Sequence, residues 1–314
     1  MKMFCTGSAG FIGSHLVDTL LKEGHHVTGF DNFFTGRRKD IEPFAENENF
    51  NFIFGDVRNL SALTRAMAGC DVVWHLAASG NIPAGVADTN LDFDINTCGT
   101  RNVLEAMRAN KIRHILFSST AAVYGDGAAS GIPLAETFGP LIPISLYAAS
   151  KLAGEAMISA YCHLFGMRAH IFRFANVVGS KMGHGLLFDT IQKLLKSPTR
   201  IEAWGDGISG AKPFVLIDDL IWGMVVAYRH CDKQCDVYNL GVSDTTKISD
   251  AIAIVIEEMG LSNVQVDWTG GARGFPGDVP VVIFNPSKMA QYGWKAQYKS
   301  TEAVRIAVKR LLEE

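Results

Sequence analysis

Three glycines within the first 13 residues constrain this chain more than any other feature. Lys2 to Thr6 reads as a short apolar strand that runs straight into Gly7-Ser8-Ala9-Gly10-Phe11-Ile12-Gly13. From Ser14 to Leu21 the apolar spacing is that of a buried helix. A turn this tight needs residues without a Cβ, and a pyrophosphate approaches the backbone only where no side chain intervenes. The helix start adds unpaired N–H groups and the positive end of its dipole. The spacing therefore points to a dinucleotide held at Gly7, Gly10, Phe11, Ile12 and Gly13. A second apolar strand, His26 to Phe30, ends in Asp31, 18 residues beyond Gly13, with Asn32 after it. A carboxylate at that distance accepts the hydroxyls of an adenosine ribose and repels a 2′-phosphate, which favours NAD over NADP.

The alternation of elements continues through the first half. Strands are expected at Asn51 to Phe54, Asp71 to Leu76, Arg113 to Ser118 and Arg168 to Phe174. Helical spacing covers Leu60 to Ala68, Asn90 to Asn110 and Leu146 to Phe165. Such alternation makes an α/β protein with a doubly wound parallel sheet, covered on both faces. Ligands of these sheets sit beyond the carboxyl ends of the strands. Thr6, Asp31, Asp56, Ala77, Ser118 and Phe174 fall at those ends and are expected to line one crevice. The Gly- and Pro-rich stretch from Asp126 to Pro143 reads as a surface loop. From about Asn176 the pattern changes to shorter, glycine-punctuated elements. The division expected is a dinucleotide domain over 1–175 and a smaller substrate-binding lobe over 176–314, with 214–245 returning to the first domain.

At 314 residues, 48% apolar and 19% charged, the chain can bury a large core. A net charge of −3 without a basic stripe gives no footprint for nucleic acid or an anionic membrane. No apolar run reaches 18 residues, so no membrane span is expected. The opening Met-Lys-Met-Phe-Cys is followed by glycines, His15 and Asp18, which belong to a fold element rather than a secretory leader. Cysteines at 5, 70, 98, 162, 231 and 235 form no C-x-x-C and no zinc spacing. They read as free thiols in a reducing compartment, with the cytoplasm as the expected location and no metal site.

Tyr147 and Lys151 share one face of the long helix, one turn apart. A free phenol, with a pKa of about 10, is a poor base at neutral pH, and lowering it by about 3 units needs roughly 4 kcal/mol. A lysine charge about 5 Å away, at an effective dielectric near 20, supplies about 3 kcal/mol of that. An oxidised nicotinamide ring adds further positive potential. The pair is thus expected to make Tyr147 a base, with Lys151 also holding the nicotinamide ribose. His75 and His170 fall within or at the ends of strands and read as structural. His184 lies in a glycine-flanked loop.

These residues resemble the extended short-chain dehydrogenase/reductases, within the NAD-dependent sugar-nucleotide epimerase/dehydratase group. The likeness covers nearly the whole chain. It is carried by Thr6-Gly7-x-x-Gly10-x-x-Gly13, Asp56-Val57, His75-Leu76-Ala77-Ala78 and Asn96-Thr97-Cys98-Gly99-Thr100. It continues through Ser118-Ser119-Thr120, Val123-Tyr124-Gly125, Tyr147-x-x-x-Lys151 and Arg173-Phe174-Ala175-Asn176. The resemblance implies a Rossmann-type fold in which Asp56 and Val57 bind adenine, while Leu76, Ala77 and Ala78 line the cofactor with Asn96 and Ser118. It implies that Thr120 hydrogen-bonds the reacting sugar hydroxyl and that Asn176 meets the pyrophosphate of a nucleotide sugar. It also implies a homodimer through the helices near 97–109 and 147–165, where Leu152, Ala156, Met157 and Ala160 offer a face. That face could equally be buried inside one monomer.

Within the group, members that dehydrate across C5 and C6 resemble Thr-Asp-Glu where this chain has Thr120-Ala121-Ala122, and decarboxylating relatives carry a glutamate beside the Val-Tyr-Gly. Two alanines cannot move protons. Reversible oxidation at C4 remains, the chemistry of the UDP-glucose 4-epimerases, which the sequence most resembles. Where these epimerases commonly place a phosphate-gripping arginine, Lys212 stands here, and Arg273 is shifted by two residues from the usual arginine before Gly-Asp. Lysine keeps the charge and loses the bidentate geometry. Val282 falls near a position that limits room for a C2 acetamido group in relatives, and a valine there is small. An epimerase of another UDP-sugar (an N-acetylhexosamine or uronic acid), a keto-sugar reductase and a non-catalytic NAD-binding regulator are the alternatives.

Overall fold

The computed structural model describes residues 1–230 and 232–314, the side chains of 127–130 excepted. Cys231 therefore lies outside the described residues, and Cys5, Cys70, Cys98, Cys162 and Cys235 are free thiols. Chain contacts divide the protein into two units. The first comprises 1–123, 145–173 and 227–238, the second 124–144, 174–226 and 239–314.

The first unit is organised by largely apolar strands, almost wholly buried except for the edge strand β3, which is only partly covered. These are β1 (Lys2–Thr6), β2 (His26–Asp31), β3 (Phe50–Phe54), β4 (Val72–His75), β5 (His114–Thr120) and β6 (Arg168–Phe174). The sheet order is Cys235–Leu240, β6, β5, β4, β1, β2, β3. Strands β1 to β5 pair in parallel, with Thr6 level with Phe30 on one side and His75 on the other. β1 thus has β2 and β4 as neighbours, and chain order reverses across it. That is where a doubly wound sheet opens a crevice at its carboxyl edge.

Helix α1 (Phe11–Lys22) follows β1, and α2 (Leu60–Ala66) follows β3. The Asn59 side chain caps α2 by accepting from Ala62 N at 3.0 Å. One core cluster gathers Phe4, Val73, Ile115 and Phe117 from strands, and Leu104, Met107, Ile158 and Cys162 from helices, all fully or nearly buried. At the outer edge, Gln234 Nε2 donates to the Cys162 carbonyl at 2.8 Å, and the Cys162 and Cys235 thiols hydrogen-bond each other.

Spacing over 90–110 predicts a single helix, and the structure differs. A short α3 (Ile82–Ala87) comes first and was not expected. It is followed by α4 (Thr89–Asp92), a π-helical stretch at Phe93–Cys98, and α5 (Gly99–Ala109). The widened turn is a device that often marks functional positions. Here it carries Asn96, whose side chain is bonded at both ends. The long α6 (Leu146–Phe165) begins where expected because Ser145 caps it, its hydroxyl accepting from Ala148 N at 3.2 Å. It ends at Gly166, whose φ of 63° is left-handed. The stretch 126–143, expected to be loop throughout, begins inside a 3-10 run at Ala121–Ser130 that is kinked at Gly125.

In the second unit, small sheets replace the large one. Asn176–Val178 pairs in parallel with Phe214–Leu216, and Arg200–Ala203 with Gln265–Trp268. Helix Ser300–Leu312 packs on the first pair and Leu186–Lys196 on the second, and Ile248–Glu258 packs against both helices. The pairs are only three or four residues long, too short for alternation to declare them in sequence. Among the described residues no helix is long and apolar enough to cross a membrane.

Candidate functional site

The bend between β1 and α1 is held by backbone hydrogen bonds within itself and to β2. Gly7 N donates to Phe30 O at 2.9 Å, and Gly10 N to Gly7 O at 3.1 Å. Gly7 sits at φ +71°, and a Cβ on it would lie 2.7 Å from Ala77 N. A Cβ on Gly13 would lie 1.9 Å from Gly7 O. Helix α1 has no side-chain cap, so its first N–H groups face the bend unmasked. Gly7, Gly10, Asp31, Asn32, Asp56 and Val57 line one cavity. Leu76, Ala77 and Ala78 complete its opposite wall. A glycine cradle and a strand-end carboxylate around one cavity are what a dinucleotide requires, and the residues present fit NAD.

The carboxylates of the cavity are held by the protein. Asp31 is buried, and its two oxygens accept from Ala9 N at 3.0 Å and Phe33 N at 2.7 Å. Burial pushes its carboxyl above the ordinary range, and the backbone bonds pull against that rise. Asn32 Nδ2 donates to Asp56 Oδ2 at 3.0 Å. Asp56 is gripped by Arg58, Nη2 to Oδ2 at 2.6 Å, and this guanidinium holds its carboxyl below the usual range. Phe34, Thr35 and Gly55 also line the cavity and were missed in sequence, as was Arg58. Their one signal is position, immediately after the ends of β2 and β3.

A hydrogen-bond chain runs from the cavity wall into the sheet. Ala77 N donates to Thr6 Oγ1 at 3.2 Å, which leaves the Thr6 hydroxyl to donate to His75 Nδ1 at 2.7 Å. His75 Nε2 then donates to Thr100 Oγ1 at 3.0 Å, and Thr100 donates to Asn96 O at 2.5 Å. Directionality thus fixes the neutral Nε2–H tautomer. Burial agrees with it, lowering His75 to about 3, with the Lys151 charge helping. His75 is structural, as expected. Asn96 itself accepts from Ser79 N at 2.8 Å and donates to Ser79 O at 3.1 Å and Ser150 Oγ at 2.9 Å. It frames the site and is not among the residues lining the cavity.

Thr120, Tyr147 and Lys151 come together at the end of β5 and the start of α6. The Thr120 side chain hydrogen-bonds the Tyr147 hydroxyl. Lys151, 2% exposed, donates from Nζ to Ser118 O at 2.7 Å and Ser118 Oγ at 3.4 Å, and stands 4.8 Å from the Phe117 ring centre. The expected depression of the phenol is not what the protein's own groups produce. Burial, with the Asp92 charge, pushes Tyr147 up to about 12, against the Thr120 bond. Burial also brings Lys151 down to about 7, against the charges of Asp92 and Glu155. Desolvation dominates the phenol, and a bare charge-to-charge distance leaves desolvation out.

Glu155, one turn beyond Lys151, was not singled out in sequence. It is buried with Arg173, which donates from Nε at 3.0 Å and Nη2 at 2.7 Å, and Ser119 Oγ donates to it at 2.5 Å. Removing one partner of such a buried pair costs about 3–5 kcal/mol. The pair locks α6 to β6 and so fixes where Tyr147 and Lys151 lie.

The remaining predicted residues belong to the second unit. Asn176 has an exposed side chain. Lys212 donates to Asp278 Oδ1 at 2.6 Å and also to Val279 O. Arg273 reaches Asp278 O and Asp126 Oδ1, both at 2.7 Å. Both cations therefore gather on the Asp278 turn. His184 lies in its loop with an exposed side chain.

A doubly wound sheet, a glycine cradle and a Tyr–Lys helix pair define an NAD-dependent enzyme of the α/β class. The model of the NAD dependent epimerase/dehydratase family matches residues 3–241, and the chain belongs to that family. It is 33% identical over 233 residues to a UDP-glucose 4-epimerase of Mycolicibacterium smegmatis, covering 72% of this chain and 73% of the relative. It is 28% identical over 324 residues to a UDP-glucose 4-epimerase of Lactobacillus helveticus, covering 97% and 94%. The crystal structure of the Thermus thermophilus UDP-glucose 4-epimerase in complex with NAD superposes with a TM-score of 0.87 at 30% identity, over 99% of this chain and 98% of that one.

Proposed function

We propose that this enzyme interconverts nucleotide sugars at C4, of the UDP-glucose/UDP-galactose type, through a transient 4-keto sugar. The observation that carries the reading is the Thr120–Tyr147–Lys151 cluster, followed by Ala121 and Ala122, where no side chain can exchange a proton at C5. NAD, when bound, supplies a reversible hydride acceptor and a positive charge. Gly7, Gly10, Phe11, Ile12 and Gly13 seat its pyrophosphate, Asp31 with Asn32 its adenosine ribose, and Asp56 with Val57 its adenine. Leu76, Ala77 and Ala78 wall it, Asn96 and Ser118 brace the wall, and Lys151 holds the nicotinamide ribose. Thr120 orients the sugar's C4 hydroxyl. Tyr147 takes that hydroxyl's proton and later returns it, and it needs the added positive charge because the protein alone holds the phenol high. Asn176 meets the sugar nucleotide's pyrophosphate. Lys212 and Arg273 supply the cations for the same phosphates, Lys212 now paired with Asp278 and Arg273 with Asp126.

Incubating the purified protein with UDP-glucose and, separately, UDP-galactose, with products read by NMR, tests this. Both reactions are expected to reach one equilibrium mixture without net consumption of NADH or NADPH. A requirement for added reductant would make it a keto-sugar reductase. Conversion only of acetamido or uronic substrates would move the reading to another UDP-sugar. We further propose a cytoplasmic homodimer joined through α5 and α6. Ala156, Ala160 and Leu164 are exposed along α6, and Leu164 is 74% exposed. Sedimentation is expected to give twice the monomer mass, and a monomer at all concentrations would reject the dimer.

A further inference from the structure

Asp92, the last residue of α4, has a carboxylate with no evident structural duty. The residue is 1% exposed. Its Oδ1 has a long contact of 3.5 Å with Asn96 Nδ2, and Oδ2 has no hydrogen-bond partner of good geometry among the described residues. Room for Oδ2 is made by Gly85 of α3, where a Cβ would stand 2.1 Å away. Burial raises the Asp92 carboxyl, and the nearby Ser79 hydroxyl and the Lys151 charge pull it back. A buried carboxylate this poorly bonded stays ionised only with a cation in reach.

The surrounding elements offer one. Helix α3 carries no ionisable side chain between Ile82 and Ala87, and Asp94 of the π-helical stretch is exposed. His75 of β4 is neutral. Helix α6 presents Tyr147, Lys151 and Glu155. Helix α4 packs against α6, and Asn96 Nδ2, 3.5 Å from Asp92 Oδ1, also donates to Oγ of Ser150, the residue before Lys151, so the Asp92 charge acts on both Lys151 and Tyr147. Among the described residues the Lys151 ammonium donates to neutral acceptors, both of Ser118. Two carboxylates act on it, and Glu155 is already matched by Arg173 through two hydrogen bonds. Asp92 is left as the uncompensated one.

We propose that Asp92 is a positioning residue, the buried counter-charge that keeps Lys151 an ammonium and opposes premature ionisation of Tyr147. Electrostatics sets the sign. Removing a negative charge makes the ammonium easier to deprotonate and the phenolate easier to form, so both groups titrate at lower pH. The role deepens the Tyr147–Lys151 chemistry proposed above, and its test needs no turnover.

In full-length protein carrying carbon-13-labelled lysine, the Lys151 resonance is identified by its loss in Lys151→Met and titrated by NMR. In Asp92→Asn, which keeps the side chain's shape, the Lys151 midpoint is expected to fall by about one pH unit, a tenfold change in its ionisation constant. Gly85→Ala takes the space of Oδ2 and forces the carboxylate to turn, so it too is expected to move the midpoint while every charge is retained. A side chain that only fills space would leave the midpoint where it is. An unchanged or raised midpoint in folded Asp92→Asn, or an unchanged one in Gly85→Ala should that variant alone fold, overturns the proposal. Should the protein fail to interconvert UDP-sugars, the titration still reads the pair.

Discussion

Tyr147→Phe is expected to lower turnover of UDP-glucose by about 10²–10⁴-fold, the usual contribution of a positioned acid–base group. The substitution removes one oxygen and leaves the ring, so α6 keeps its cap at Ser145 and its ion pair to β6. Thr120 loses its partner, and one exchanged hydrogen bond changes stability by about 1 kcal/mol. NAD retention is expected to persist, because the glycine bend and the Asp31 wall are untouched. The loss should therefore fall on kcat with KM little changed, the pattern of an interaction used in the transition state. Steady-state rates beside the NAD content of the purified variant would check this. Wild-type turnover in the variant would remove Tyr147 from the chemistry.

Much of this site could be read in the sequence because its physics is local. The bend at 7–13 declares itself by glycine spacing, α6 by helical spacing over 146–165, and the Tyr147–Lys151 pair by one helical turn. What could not be read depends on groups far apart in the chain. The clamp of Glu155 and Arg173 joins residues of a helix and a strand, each ordinary by itself. Asp92 resembles any acid in a polar helix until folding takes it from water beside Lys151. The rise of Tyr147 to about 12 has the same origin, since sequence shows a neighbouring charge and hides desolvation. Phe33 is a further case. It takes a left-handed φ of 59°, costly for an aromatic, where Asp31 Oδ1 accepts its N–H and its ring packs against Phe52 and Phe54. Asp31 and Asn32 signal a turn there, each accepting the N–H two residues on, but nothing in the sequence assigns the left-handed position to a phenylalanine.

Gly13→Ala is expected to abolish the response of the fold to NAD. The added Cβ would lie 1.9 Å from Gly7 O and 2.8 Å from Gly7 C. Both are backbone atoms, so no rotamer relieves the contact, and either the bend opens or α1 shifts. Overpacking of this kind costs about 1–3 kcal/mol. The strain falls on the carbonyl that closes the turn by accepting from Gly10 N. Gly24→Ala is the matched control. Its φ of +79° makes alanine costly by roughly 1–2 kcal/mol, yet nothing lies within 4 Å of the new Cβ. It also sits past the far end of α1, about 18 Å from the bend for a helix of this length. Both variants are thus expected to melt earlier than wild type by similar amounts. Adding NAD should raise the melting temperature of wild type and Gly24→Ala and leave Gly13→Ala unmoved, since a ligand stabilises only a fold that can bind it. Equal NAD-induced shifts in all three would mean that the bend does not seat the pyrophosphate, and the crevice at the β1–β4 edge would have to hold the cofactor by other contacts.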